Sequence, residues 1–137
     1  MAKKITHETA LLGLTAGIRK AKELNQRSTL SVVDEGGHLI ASIRVDDAAF
    51  GTIEIAQNKA YTAAAFRQPT AAWMDVVQPG AALYGLERSC SRPFVVFGGG
   101  FPVFDGDSVI GGVGVSGGPV EADEAIANVI VSAIQEK

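Results

Sequence analysis

Apolar residues recur at spacings of three and four along the first stretch of the chain. Leu11, Leu14, Ile18 and Ala21 fall on one face, which predicts a helix from Ile5 to about Leu24 with Thr6 as its N-cap. Two β-rich runs follow, Thr29-Leu30-Ser31-Val32-Val33 and His38-Leu39-Ile40-Ala41-Ser42-Ile43. They are separated by Asp34-Glu35-Gly36-Gly37, a sequence suited to positive φ, and together predict a hairpin. Helical spacing returns with Ile53, Ala56, Ala60 and Ala63, in a helix capped by Asp46 or Asp47 that runs to about Phe66. Arg67-Gln68-Pro69 ends it, because proline disfavours a helical residue before it.

Thr70 is placed to cap a short helix over residues 71–77, stopped by Gln78-Pro79-Gly80. Residues 81–93 have no period and read as the longest surface loop, a place to look for function. A second β region then begins: Phe94-Val95-Val96-Phe97, Phe101-Pro102-Val103-Phe104, and a turn at Asp105-Gly106-Asp107 into Ser108-Val109-Ile110. From Val113 to Val115 the chain alternates with glycine, like a strand with one face very close to something. A last helix starts near Pro119 and runs to about Gln135, with Ala122, Ile126, Val129 and Ala133 inward. Helices before, between and after paired strands predict an α+β fold: an antiparallel sheet of about five strands flanked by helices.

Composition narrows the partners. With 137 residues and a 47% hydrophobic content, the chain is the size of one domain, residues 1–137, able to bury a core without disulfides. The net charge of −3 comes with no run of like charges, so neither nucleic acid nor an anionic membrane surface is an expected partner. No stretch approaches the roughly 18 uninterrupted apolar residues of a membrane span. The start, MAKKITHETALLGL, lacks a long apolar core and a cleavage site and reads as a mature cytoplasmic N-terminus. Cys90 is the single cysteine, which excludes an internal disulfide and fits a reducing compartment.

The segment Gly112-Val113-Gly114-Val115-Ser116-Gly117 fits G-x-G-x-x-G, the spacing of a dinucleotide-binding turn. Its context argues against one. That turn belongs between the strand and helix of a βαβ unit, with an acidic residue on a second strand about 20 positions further on. Here only one helix follows, and Glu121, Asp123 and Glu124 crowd its first turn, where they suit the helix dipole and would repel a phosphate. Gly98-Gly99-Gly100 is not followed by G-K-[ST], so it is no P-loop. No nucleotide is expected. Two glycine-rich strand ends remain, Gly98 to Gly100 and Ser116 to Gly118, whose backbone N–H groups are expected to approach one another and border a pocket.

A wider set of motifs covers essentially the whole chain in order. Val33-Asp34-Glu35-Gly36-Gly37-His38-Leu39, Arg44-Val45-Asp46-Asp47-Ala48, Asn58-Lys59-Ala60-Tyr61-Thr62-Ala63, Gln78-Pro79-Gly80, Phe97-Gly98-Gly99-Gly100-Phe101-Pro102 and Gly112-Val113-Gly114-Val115-Ser116-Gly117-Gly118 together resemble the GlcG/HbpS family, which includes the C-terminal domain of PduO-type proteins. The resemblance implies a profilin-like fold with a five-stranded antiparallel sheet, assembly into homo-oligomers, and haem binding in several members. It also implies a haem ligand on or near the N-terminal helix, where this chain has His7.

Axial ligation of haem uses His, Cys, Met or Tyr facing an apolar slot. His7 is the candidate ligand, set against the reading of a solvated histidine in the first helical turn. The glycine-rich ends with Phe101 are the candidate ligand-binding segments. His38, on a polar hairpin, reads as a strand-edge side chain, and Met74 and Trp73 as core or interface. No His-x₃-His or Cys-x₂-Cys pair exists, so no metal site is expected beyond haem iron on His7. An alternative is a cofactor-independent enzyme acting on a small carboxylated or carbonyl substrate. In that reading Lys59, in an alanine-rich helical stretch, does acid–base work, Arg44 grips a carboxylate, and Asp123 acts as a base or simply complements the helix dipole. A third is an accessory subunit docking through Trp73 and the loop that carries Tyr84.

Overall fold

The computed structural model describes residues 2–137. They form three α-helices and one antiparallel four-stranded sheet. In chain order the elements are α1 (His7–Glu23), β1 (Thr29–Asp34), β2 (Leu39–Arg44), α2 (Gly51–Phe66), β3 (Gly100–Asp105), β4 (Ser108–Ser116) and α3 (Val120–Gln135). The sheet order is β2-β1-β4-β3, so the two hairpins meet at the β1–β4 pairing in the centre.

Five strands were expected, and the fifth does not form. Phe94-Val95-Val96-Phe97 packs against α2 instead of joining the sheet. The Val95 N–H donates to Thr62 Oγ1 on α2 at 3.1 Å, and Phe94 sits 4.8 Å from Phe66 and 5.2 Å from Trp73, ring centre to ring centre. A backbone group satisfied by a side chain has no need of a neighbouring strand. The helix expected over residues 71–77 is likewise only a 3₁₀ turn, Thr70–Trp73.

Local chemistry sets the helix starts. Thr6 caps α1, its Oγ1 accepting the Thr9 N–H at 3.1 Å. Asp46 and Asp47 do not cap α2. They occupy a turn closed by the Ala48 N–H on Val45 O at 3.1 Å, and the helix begins at Gly51 with no side-chain cap. On α3 the buried face is Asp123, Ile126, Ala127, Ile130 and Ile134, so Val129 and Ala133 lie beside the stripe and are only half-buried. On α1, Leu11 is turned outward and Ala10, Gly13 and Gly17 face in, where the small residues let α3 approach.

The helices form a layer on each face of the sheet. Leu30, Val32, Val113 and Val115 point toward α1 and α3, meeting Leu14, Ile126 and Ile130 in the main core. The alternate residues of β4 face α2, and the glycine alternation has its physical cause there. A Cβ on Gly114 would run into the backbone carbonyl of Ala56, and one on Gly112 into that of Ala60. The axis of α2 therefore lies directly on the strand.

Candidate functional site

Lys59 projects from α2 into the end of the sheet where β4 leads into α3. It is 1% exposed and Asp123, in the first turns of α3, is 3% exposed. Lys59 Nζ donates to Val115 O at 2.8 Å and to Asp123 Oδ2 at 3.3 Å, while the Gly118 N–H donates to Asp123 Oδ1 at 3.0 Å. Phe97, itself 38% exposed, covers the ammonium with its ring centre 5.1 Å from Nζ.

Gly99 is what lets the cover close. Its φ is +122, and a Cβ there would come within 2.6 Å of both Lys59 Nζ and Val115 O. Beside it the Val115 N–H donates to Gly99 O at 2.9 Å, and Gly100 pairs with Gly114, so Gly98 to Gly100 run along β4 just before Ser116. The Gly100 N–H is held by Thr70 Oγ1 at 3.0 Å.

Burial dominates the electrostatics of the pair. It pushes the Lys59 ammonium below its ordinary range, against the opposing pull of the Asp123 and Glu124 charges. It likewise pushes the Asp123 carboxyl up, against the Gly118 N–H and the Lys59 charge. Both groups are thus moved toward the neutral form, the direction in which a proton passes from lysine to carboxylate.

Not every candidate residue gathers here. Arg44 is exposed on edge strand β2, in register with Thr29, which pairs in turn with Ser116, so β1 separates it from the glycine end. Phe101 is half-buried on β3 and packs on the main core. Gly98 lies against Val120 and Glu124, whereas Gly117 and Gly118 lie against residues 26–28. His7 is exposed at the start of α1, and His38 faces Asp34, Nδ1 to Oδ1, at 3.4 Å. Phe97, which lies within a motif, and Thr70, read as a helix cap, were not read as site residues: the path of residues 94–100 across α2 brings Phe97 over Lys59 and Gly100 onto Thr70.

Three surface cavities of about 390, 300 and 250 Å³ open elsewhere. None is lined by Lys59, Asp123, His7, residues 98–101 or residues 116–118, so the expected pocket between the glycine ends is not among them. The described residues hold no group of three or more His, Cys, Asp or Glu side chains able to bind a metal ion, and no helix long and apolar enough to cross a membrane.

Comparison with known proteins places the chain. Residues 5–132 match the family model described as haem degrading protein HbpS-like. A 15.0 kDa protein of Citrobacter freundii, encoded between dhaT and dhaS and uncharacterized, is 47% identical over 117 residues, covering 85% of this chain and 82% of that one. Among solved structures, Klebsiella pneumoniae ORFY superposes with a TM-score of 0.96 at 37% identity, covering 100% of this chain and 94% of its own. The PduOC–haem complex does so with 0.91 at 37% identity, covering 96% and 95%. On the family match and the 47% identical relative, this chain belongs to the GlcG/HbpS family.

Proposed function

We propose that this protein binds haem or a related tetrapyrrole through the imidazole of His7. The observation that carries the reading is the state of that side chain: exposed at the first residue of α1, it makes no hydrogen bond or ion pair among the described residues. Leu11, one turn later on the same helix face, is 55% exposed and offers apolar surface beside it. The PduOC–haem complex, at 37% identity, supports transfer of the ligand class.

The residues fit an axial ligand on an open helix face, not an enclosed slot, since His7 lines none of the three cavities. The remaining apolar cover comes from a second copy of the chain in a homo-oligomer. Bound there, haem iron supplies redox or ligand-binding chemistry, and the chain's part is to hold and orient it. His38 is engaged with Asp34, and Met74 Sδ accepts from Gln78 Nε2 at 3.1 Å, so neither competes as a ligand.

Titration with hemin followed at the Soret band tests the reading. The expected result is a saturable shifted band that His7→Ala abolishes and Leu11→Glu weakens. An unaltered band in His7→Ala overturns the assignment of the ligand.

The buried Lys59–Asp123 pair favours a second reading, an enzyme for a small carbonyl or carboxylated substrate. Its ammonium and carboxyl lie within proton-transfer distance beneath the Phe97 ring, which must swing aside for a substrate to enter. Turnover of such a substrate by purified protein, lost in Lys59→Met with the fold intact, is the measurement that supports it.

A further inference from the structure

The cavity of about 300 Å³ lies between the end of α1 and the turn after β2. Its lining carries opposite charges, Lys22 and Arg27 from the end of α1 and the segment after it and Asp46 and Asp47 from the turn after β2, together with the amides Asn25 and Gln26 and the apolar Ile18 and Val45. None of the four charged side chains is in an ion pair among the described residues, although all line the same concavity. Four exposed charges of both signs, unpaired with one another and lining one concavity with Ile18 and Val45, make a complementary surface for a molecule carrying both charges.

Asp47 adopts φ +68 in the tight turn that puts Asp46 and Asp47 on the rim, a conformation that costs free energy in a residue other than glycine.

We propose that this cavity binds a small zwitterion, an α-amino acid with a short apolar side chain. Arg27 and Lys22 take the carboxylate, Asp46 and Asp47 take the ammonium, and Ile18 and Val45 take the side chain. A cavity of this size is at the small end of those that hold organic ligands, which suits a metabolite of this class. The site shares none of its lining residues with His7 or with the Lys59–Asp123 pair, and so stands independently of the haem reading.

The test is titration of the ¹⁵N-labelled protein with L-valine, and separately with isobutylamine and 3-methylbutanoate, which each lack one of its charges. The expected result is saturable shifts at the Ile18, Val45 and Asp47 amides with L-valine, and binding weaker by about tenfold or more for each half-molecule. Arg27→Ala is expected to weaken L-valine and 3-methylbutanoate and leave isobutylamine unchanged. Asp46→Asn with Asp47→Asn is expected to do the converse, asparagine tolerating the left-handed turn. Shifts that fail to saturate, three probes that bind alike, or substitutions without effect overturn the proposal.

Discussion

Lys59 Nζ stands 3.3 Å from Asp123 Oδ2, and the two residues that make this contact join α2 to α3 across the end of the sheet. Each side chain has lost its water, and each keeps a backbone partner as well, Val115 O for the lysine and the Gly118 N–H for the aspartate. Removing one partner leaves the other charge buried and alone, which is far more costly than removing both. Lys59→Met or Asp123→Leu alone is therefore expected to cost about 3–5 kcal/mol, and the double substitution clearly less than the sum. Urea denaturation of the four proteins measures the coupling, and strict additivity would show the pair to be energetically idle.

The two members of the pair give stability opposite pH slopes, and Asp34 in the hairpin turn adds a rising slope at acid pH. Asp123 is raised above 3.8 in the folded state, so the folded protein holds that proton more tightly, and its contribution falls as pH rises from 3.8 through the folded value. Lys59 is lowered from 10.5, so its contribution recovers as pH rises from the folded value toward 10.5. For Asp34, burial pushes the carboxyl up, but the N–H groups of His38 and Gly36 and the His38 charge outweigh it and leave the carboxyl below 3.8. That contribution is present above 3.8 and is lost as pH falls through the folded value. Unfolding measured across pH is expected to show Asp34→Asn flattening the acid limb, and Lys59→Met with Asp123→Leu removing the slopes above it.

The glycine alternation of β4 separates packing from backbone freedom. Gly114→Ala thrusts a methyl group into the Ala56 carbonyl, and since backbone cannot rotate aside, α2 must lift from the sheet. A loss of about 3 kcal/mol or more is expected. Gly51→Ala is the control: at the start of α2 a Cβ there meets nothing within 4 Å, and the added methyl is expected to be neutral or to stabilise by up to about 1 kcal/mol. Thermal or urea unfolding of the two variants reads the contrast.

These glycines also show what the sequence could and could not disclose. Their alternation announced a strand pressed against something, and hydrophobic spacing located every helix and both hairpins, because those signals are local. The missing fifth strand is not local. Phe94-Val95-Val96-Phe97 has the composition of a strand, but its Val95 N–H is claimed by Thr62, 33 positions away. The same holds for the site: Lys59 and Asp123 were legible as candidates, whereas their mutual contact spans 64 positions and depends on how α2 crosses β4. Arg44 was grouped with them by chemistry alone, and the strand order sets it apart.

Thr62 is the residue on which that missing strand turns. Its Oγ1 donates to Asn58 O at 2.7 Å and accepts the Val95 N–H at 3.1 Å, so one hydroxyl fastens residues 94–97 to the helix that carries Lys59. Thr62→Val keeps the shape and removes the acceptor, leaving a buried N–H without a partner at a cost of about 1–3 kcal/mol. The expected consequence is local as well as global: amide exchange at Val95 should speed up more than exchange in the β1–β4 centre of the sheet. Phe97, two residues further on, covers the Lys59 ammonium, so the same variant should expose that amine to acylating reagents faster than the wild-type protein does. Equal acylation rates in the two proteins would separate the Thr62 tether from the Phe97 cover and place control of access in the Gly99 turn instead.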